Sequence, residues 1–304
     1  MIQSLTDGIL VGAILSLGAI GLTMVMHTLR FANFSHAELL SIGAYSALVC
    51  DALFSGILPS LAAAISPLSM TWALALAMVC AMSLTGLSAL IIDKFVFKRI
   101  REKGDELSMV FASFGVALII RNLLGLIFGL KSQLYSKDIV FAVVLSHDPL
   151  VLVKPDQVFV LIAAVIIMLV MHYFLSRTTL GYALRAVAEN ASLAEVSGIR
   201  LSHMIALIWV IGGVLAAAAG VFYGLTNHVS PVIGRDLVLP IFAATIVGGI
   251  GSVYGAVLGG FVVGIATNMA LLVLPSGYSP AMPFVIILVL LLVRPNGLFG
   301  ETQT

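Results

Sequence analysis

Long apolar runs alternate with short polar interruptions along this chain. The runs at 70–92, 204–226 and 237–266 contain no Asp, Glu, Lys or Arg, and each exceeds the ~20 residues that a membrane-spanning helix needs. A first apolar stretch covers about 2–28, is interrupted by LRFANFSHAE (29–38), and resumes over 39–56. Further spans are expected at 107–130, 157–176 and 281–293, with a Gly-rich pair of helices at 237–273. Between them lie a Pro- and Ser-punctuated connection (57–69), the charged segment DKFVFKRIREKGDE (93–106), a polar loop (131–156) and a short loop around NHVSPVIGRD. The pattern predicts an all-α polytopic protein with eight or nine transmembrane helices, some of them discontinuous.

Composition agrees. Apolar residues make up 61% of 304 and charged residues 10%, mean hydropathy is +1.17, and soluble domains carry about 25% charged residues. A transmembrane β-barrel would show ~10-residue alternating segments instead of continuous runs. A net charge of +1 suggests neither a nucleic-acid partner nor a polybasic membrane tether; membrane lipid is the surrounding that the apolar runs imply. Cys50 and Cys80 fall in apolar segments, as inert buried thiols do. The N-terminus lacks the basic region and cleavage site of a removable signal peptide.

Charge also orients the chain. Segment 93–106 holds Lys94, Lys98, Arg99, Arg101 and Lys103, while the longer 131–156 loop holds only Lys131, Lys137 and Lys154. The positive-inside rule puts the first in the cytoplasm and the second outside. One crossing later, TLGYALRAVAENASLAEVSGI (179–199) is cytoplasmic. Leu180, Leu184, Val187, Ala191 and Ala194 draw one apolar stripe on a helix there. Thr178 or Thr179 caps its start and Gly198 ends it. Arg185, Glu189 and Glu195 keep it out of the bilayer centre. Such a helix either docks a partner outside the membrane or lies on the lipid surface as a connection.

Two interruptions read as broken helices. In the first, Arg30, Asn33, Ser35, His36 and Glu38 stand between apolar halves; in the second, Val247-Gly248-Gly249-Ile250-Gly251-Ser252 does. Unwound backbone at membrane depth lines cavities or is buried in protein, and transporters build substrate sites there. Ordinary surface turns are the other reading of both. Gly251, Gly255 and Gly259, with Gly260 and Gly264, also fit close helix packing, as do Gly8, Gly12 and Ser16. Arg121, with Asn122, lies in the 107–130 span and either lines a pathway or pairs with Glu38.

Bond-making chemistry is missing from the sequence. It has no P-loop, HExxH or GxSxG motif, and its six histidines lack metal-ligand spacing. No metal site, no catalytic residue and no enzyme activity are expected of the chain.

Four stretches carry a family resemblance: LGAIGLTMVMHTLRFANFSHAELLSIGAY (17–45), LGYALRAVAENASLAEVSGIRLSHMIAL (180–207), TIVGGIGSVYGAVLGGFVVGI (245–265) and VRPNGLFG (293–300). Over nearly its full length the chain resembles the permease subunits of branched-chain amino acid ABC importers, the high-affinity leucine/isoleucine/valine system. The resemblance implies a type II importer-like permease, a single domain over 1–304 with its cytoplasmic coupling loop at 177–203. Segment 180–198 becomes the counterpart of the "EAA" loop that fits the ATPase, with Leu180, Leu184, Arg185, Val187, Glu189, Asn190, Ala191 and Gly198 as coupling residues. Its core reads Glu189-Asn190-Ala191, a departure from the general importer pattern. The translocation pathway is expected at Asn33, Ser35, His36, Glu38, Arg121, Gly249 and Gly251.

The same resemblance implies a homologous second permease subunit, two cytoplasmic ABC ATPase subunits that bind ATP and magnesium, and a periplasmic binding protein. The chain itself then holds no cofactor and sits, multi-pass, in a bacterial inner membrane. Close relatives of such permeases carry urea, short amides, or aromatic and other carboxylates, so those substrates stand beside the branched-chain amino acids. The rival class is a stand-alone secondary transporter or channel, with Glu38 as its intramembrane acidic site.

Overall fold

The computed structural model describes residues 1–136, 141–147, 150–294 and 297–299. Within them the chain forms twelve α-helices and one small hairpin. These are α1 (Ile2–Leu29), α2 (Ser35–Ile57), α3 (Trp72–Ile92), α4 (Lys98–Lys103), α5 (Glu106–Phe128), α6 (Pro155–Arg177), α7 (Thr179–Glu189), α8 (Ala191–Val196), α9 (Leu201–Thr226), α10 (Ile233–Gly248), α11 (Val253–Ala270) and α12 (Met282–Val293). Among the described residues seven helices are long and apolar enough to cross a membrane: α1, α2, α3 with its continuation to Lys103, α5, α6, α9 and α11. The short helices α10 and α12 run beside them.

The apolar pattern decides which helix goes where. α1 is apolar all round and is the most buried span; α6 is the most exposed. A helix without a polar side belongs in the middle of a bundle or in lipid. What keeps α1 in the middle is its small residues, through which α11 and α9 approach it closely. α5, α6 and α12 turn rows of large apolar side chains outward, among them Phe111, Leu118, Ile166 and Leu292.

The two ends of the bundle differ. At one end the Gln3 side chain donates to the Leu152 carbonyl (3.0 Å) and accepts from the Leu152 amide (2.9 Å). Asp156 takes the Ser69 amide at 2.8 Å, and a single bridge pairs Gln133 with Val229. Tyr135 donates to the Ala44 carbonyl at 2.8 Å, and burial pushes its phenol above the usual range, so it stays a donor. At the other end sit the five basic residues of 94–103, the end of α1, α7, α8 and the α10–α11 turn. By the positive-inside rule this basic end is the one expected to face the cytoplasm.

Three boundaries differ from the sequence expectation. The charged segment does not end α3; the helix widens into a π turn over Asp93–Phe97 and continues as α4. Arg101 meets Asp93 at 3.2 Å, and Phe97 is fully buried between Phe31 and Trp209, with ring centroids 5.4 and 5.0 Å away. Lys and Arg at a helix end carry their charge outward, so they need not break it. The expected polar loop at 131–156 contains an antiparallel hairpin, β1 (Val143–His147) with β2 (Leu150–Val153); Lys137 lies outside the described residues. And α2 starts at Ser35, four residues before the expected resumption, which narrows the first break.

Candidate functional site

The first break begins where α1 stops. Arg30 adopts the left-handed conformation (φ 54°) and its amide still reaches the Met26 carbonyl at 2.9 Å, a common way to end a helix. Asn33 then turns the chain: its side-chain oxygen accepts from the Ser35 amide (3.1 Å) and the Ser35 hydroxyl (2.7 Å). That local bonding competes with helix formation and explains why the coil sits at this position. Phe34 is clamped between Phe114 and Phe242, at 4.0 and 4.7 Å between centroids.

α2 therefore starts deep in the bundle. His36 sets Nε2 3.2 Å from the Gly18 carbonyl, in the middle of α1. Gly18 is eleven residues from the end of α1, so at 1.5 Å per residue this is about 16 Å in from that end. On another face of α2, Arg121 of α5 donates through Nε (3.0 Å) and Nη2 to Glu38. Ser41, one turn on, lies 3.4 Å from Glu38 and accepts from the Gly234 amide at 3.0 Å. Gly234 is in the first turn of α10, whose preceding residues Val229 and Ser230 are buried. The short loop expected around 227–236 thus dips into the bundle, and α10 starts beside a carboxylate that its own positive end favours.

Asn33, Ser35, His36 and Glu38 are 0–1% exposed. In the single chain they are packed against α1, α5 and α10, and neither described cavity is lined by them. Arg121 is the group of this set that reaches a surface, with a quarter of its side chain exposed.

The second interruption is a turn at the basic end of the bundle. α10 ends at Gly248, and Gly249 (φ 98°) and Gly251 (φ 97°) hold backbone shapes that favour glycine. The Gly251 amide donates to the Thr23 hydroxyl at 2.9 Å. A side chain on Gly251 would strike the His27 ring, and one on Gly297 would strike the Gly249 backbone. Gly251 thus touches a side chain, whereas the glycines beyond it lie mainly against helix backbones, Gly260 also against the Ser16 hydroxyl. A Cβ on Gly255 would collide with Gly248, one on Gly259 with Ala244 and Gly248, one on Gly260 with Ser16 and one on Gly264 with Gly12. α11 therefore has two glycine faces, one against α10 and one against α1.

Segment 179–199 is two helices rather than one. Thr178 caps α7 by accepting from the Gly181 amide (3.0 Å). Asn190, with extended backbone, ends α7 and caps α8 by accepting from the Leu193 amide (3.0 Å). Gly198 (φ 88°) closes α8, with the Ile199 amide on the Ala194 carbonyl at 3.0 Å, the six-to-one bond of a Schellman end. The expected stripe holds in part. Leu184, Val187 and Ala194 are buried against the bundle and Ala191 is half-buried, but Leu180 is 45% exposed and Gly181 takes its place.

The face turned away from the bundle carries Tyr182, Glu189, Leu193 and Val196, and Arg185 is exposed at its edge, next to α6 and the α10–α11 turn. Leu193 and Val196 are 65% and 87% exposed, and sequence reasoning missed both. The signal was their spacing of three, out of phase with the buried positions once Asn190 resets the helix.

The family described as "Branched-chain amino acid transport system / permease component" matches residues 4–293. The high-affinity branched-chain amino acid transport system permease protein BraD of Pseudomonas aeruginosa is 30% identical, covering 99% of this chain and 96% of its own. The corresponding protein LivH of Escherichia coli K12 is 28% identical over 99% and 96%. A solved structure, PsaBC from Streptococcus pneumoniae in complex with a Fab, covers 98% of this chain and 93% of its own at a TM-score of 0.44 and 15% identity.

Proposed function

The chain belongs to the branched-chain amino acid transport permease family, and from that premise we propose how its parts divide the work of import. It is the multi-pass, inner-membrane permease of an ABC importer for branched-chain or related amino acids. The α7–α8 segment is the surface that receives the cytoplasmic ATPase. One observation carries this: Leu193 and Val196 stand exposed on the basic, cytoplasmic end of the bundle, on the face opposite the residues that hold the segment in place. Apolar side chains presented outside the lipid, with Arg185 and Glu189 beside them, make a docking surface.

The working importer comprises a second homologous permease, two ATPases that bind ATP and magnesium, and a periplasmic binding protein. Leu184, Val187 and Ala191 anchor the coupling segment, Asn190 and Gly198 shape it, and Leu180, Arg185 and Glu189 contact the ATPase. The pathway runs past the first break, where Asn33, Ser35, His36, Glu38 and Arg121 supply polar groups at membrane depth, and reaches the cytoplasm near Gly249 and Gly251. Because the first four are covered in this arrangement, the break must open during the cycle.

Glu189→Lys and Val196→Asp test the docking surface. Each should abolish stimulation of ATP hydrolysis by loaded binding protein in the reconstituted importer, while the permease inserts normally. Wild-type stimulation in both variants would assign the segment to the lipid surface instead.

A further inference from the structure

A cavity of about 170 Å³ opens at the cytoplasmic end, walled by α1, α6, α7, α9 and the α10–α11 turn. Its apolar floor includes Met24, Leu184 and Ile208, and its polar rim includes Arg185, His172 and Tyr254. Cavities of this size hold a small molecule; a dry one of about 150 Å³ accepts benzene.

We propose that this cavity binds a small carboxylate with a short apolar body, entering from the cytoplasm. The chemistry of the rim selects the charge. No Asp or Glu lines the cavity among the described residues. Arg185 lies over the Tyr182 ring at 4.8 Å, and the ion pairs among the described residues, Arg101–Asp93, Arg121–Glu38 and Arg235–Asp236, do not involve it. A guanidinium without a carboxylate beside an apolar recess is a place for one. Across the cavity the Tyr254 hydroxyl lies 2.8 Å from His172 Nδ1, which orients a hydroxyl and a ring towards the same space.

The absence of an acidic wall also selects against amino acids. An α-ammonium would meet Arg185 with no counter-charge, so the favoured ligand is an acid without an amine, such as a deaminated branched-chain acid. A ligand held between Arg185 on α7 and Tyr254 on α11 ties the coupling segment to the bundle. By binding this arrangement better than its alternative it favours this arrangement, and ATPase stimulation falls as the acid accumulates. This last step rests on α7–α8 being the docking element; the binding itself does not.

Calorimetric titration of the complete importer in phosphatidylcholine nanodiscs with 4-methylpentanoate tests the site. Saturable binding is expected, about tenfold weaker for leucine and about tenfold weaker in His172→Leu and in Tyr254→Phe, equivalent to ~1.4 kcal/mol each. Tyr254→Phe keeps the ring, so it stands as the readout if His172→Leu assembles poorly. No saturable binding at millimolar acid, equal affinity for leucine, or binding unchanged by both substitutions would overturn the site. So would an effect that follows added phosphatidylglycerol rather than the acid, which would make it a lipid headgroup site. Binding that persists while Glu189→Lys and Val196→Asp both leave ATPase stimulation intact would remove the docking assignment and keep the cavity.

Discussion

Glu38 is buried to 1% and Arg121 reaches it from a helix more than eighty residues away in sequence. Both charges stand in apolar runs, where neither is tolerated alone, so the sequence offers their pairing as one of two readings, beside a pathway role for Arg121, and the geometry shows the pair. Their surroundings are not legible in the same way: burial of Asn33, Ser35 and His36 follows from how α1, α5 and α10 close around them, which periodicity does not encode. Removing one member of a buried ion pair typically costs about 3–5 kcal/mol, because the other is left unpaired. Arg121→Met should therefore lower the thermal unfolding midpoint of the purified chain, and adding Glu38→Gln should recover much of the loss. No recovery in the double variant would mean that the two residues act separately. Ser35→Cys, with Cys50 and Cys80 replaced by alanine, should resist a polar thiol reagent in the resting importer and label when nucleotide binds. Equal labelling in every nucleotide state would remove the break from the pathway.

Helices are legible where apolar runs are long and end sharply, as for α1, α5 and α9. The sequence misleads where charge looks like a boundary and is not one, or where a single polar residue is one and does not look it. Segment 93–103 stays helical because its cations reach outward and Asp93 has Arg101. Asn190 breaks 179–198 because its side chain caps a new start better than it continues an old helix. Asn190→Ala should fuse α7 and α8, at a cost of about 0.5–2 kcal/mol for the lost cap. Reduced ATPase stimulation with unchanged membrane insertion is the expected reading. The glycine pattern of α11 is legible as packing, but not its two-sided use. Gly255→Leu places a side chain on the Gly248 backbone; overpacking typically costs about 1–3 kcal/mol. Loss of assembly is expected, seen as lower recovery of monodisperse complex by gel filtration. Normal assembly with altered substrate affinity would turn that face of α11 into a pathway surface.

For the molecule as a whole, the distribution of Lys and Arg tells one end from the other, and the hydrogen bonds of the described loops sort them consistently. Gln3, Ser69, Gln133 and Asp156 gather at one end, and α7, α8 and the α10–α11 turn at the other. Ser4→Cys should therefore react with an impermeant maleimide on spheroplasts, and Leu193→Cys only after permeabilisation. The opposite result would invert the molecule and place α7–α8 out of reach of any ATPase. The fold class is thus readable from hydropathy and charge alone. The inward dip at 229–234 is not, because a Pro-containing polar loop looks the same at a surface and at depth.

The most extensive helix pairing among the described residues joins the first helix to one of the last. Gly8 and Gly12 of α1 lie against α11, yet more than two hundred residues separate the end of one from the start of the other. At about 5–20 residues per second of synthesis, α1 waits on the order of ten seconds or longer with its small-residue face uncovered. During that interval the face is open to any helix that fits it, including one from a neighbouring nascent chain. Quality control during biogenesis thus hinges on about the last sixth of the chain, and polypeptides truncated before Val253 should be cleared by membrane proteases rather than accumulate as partial bundles.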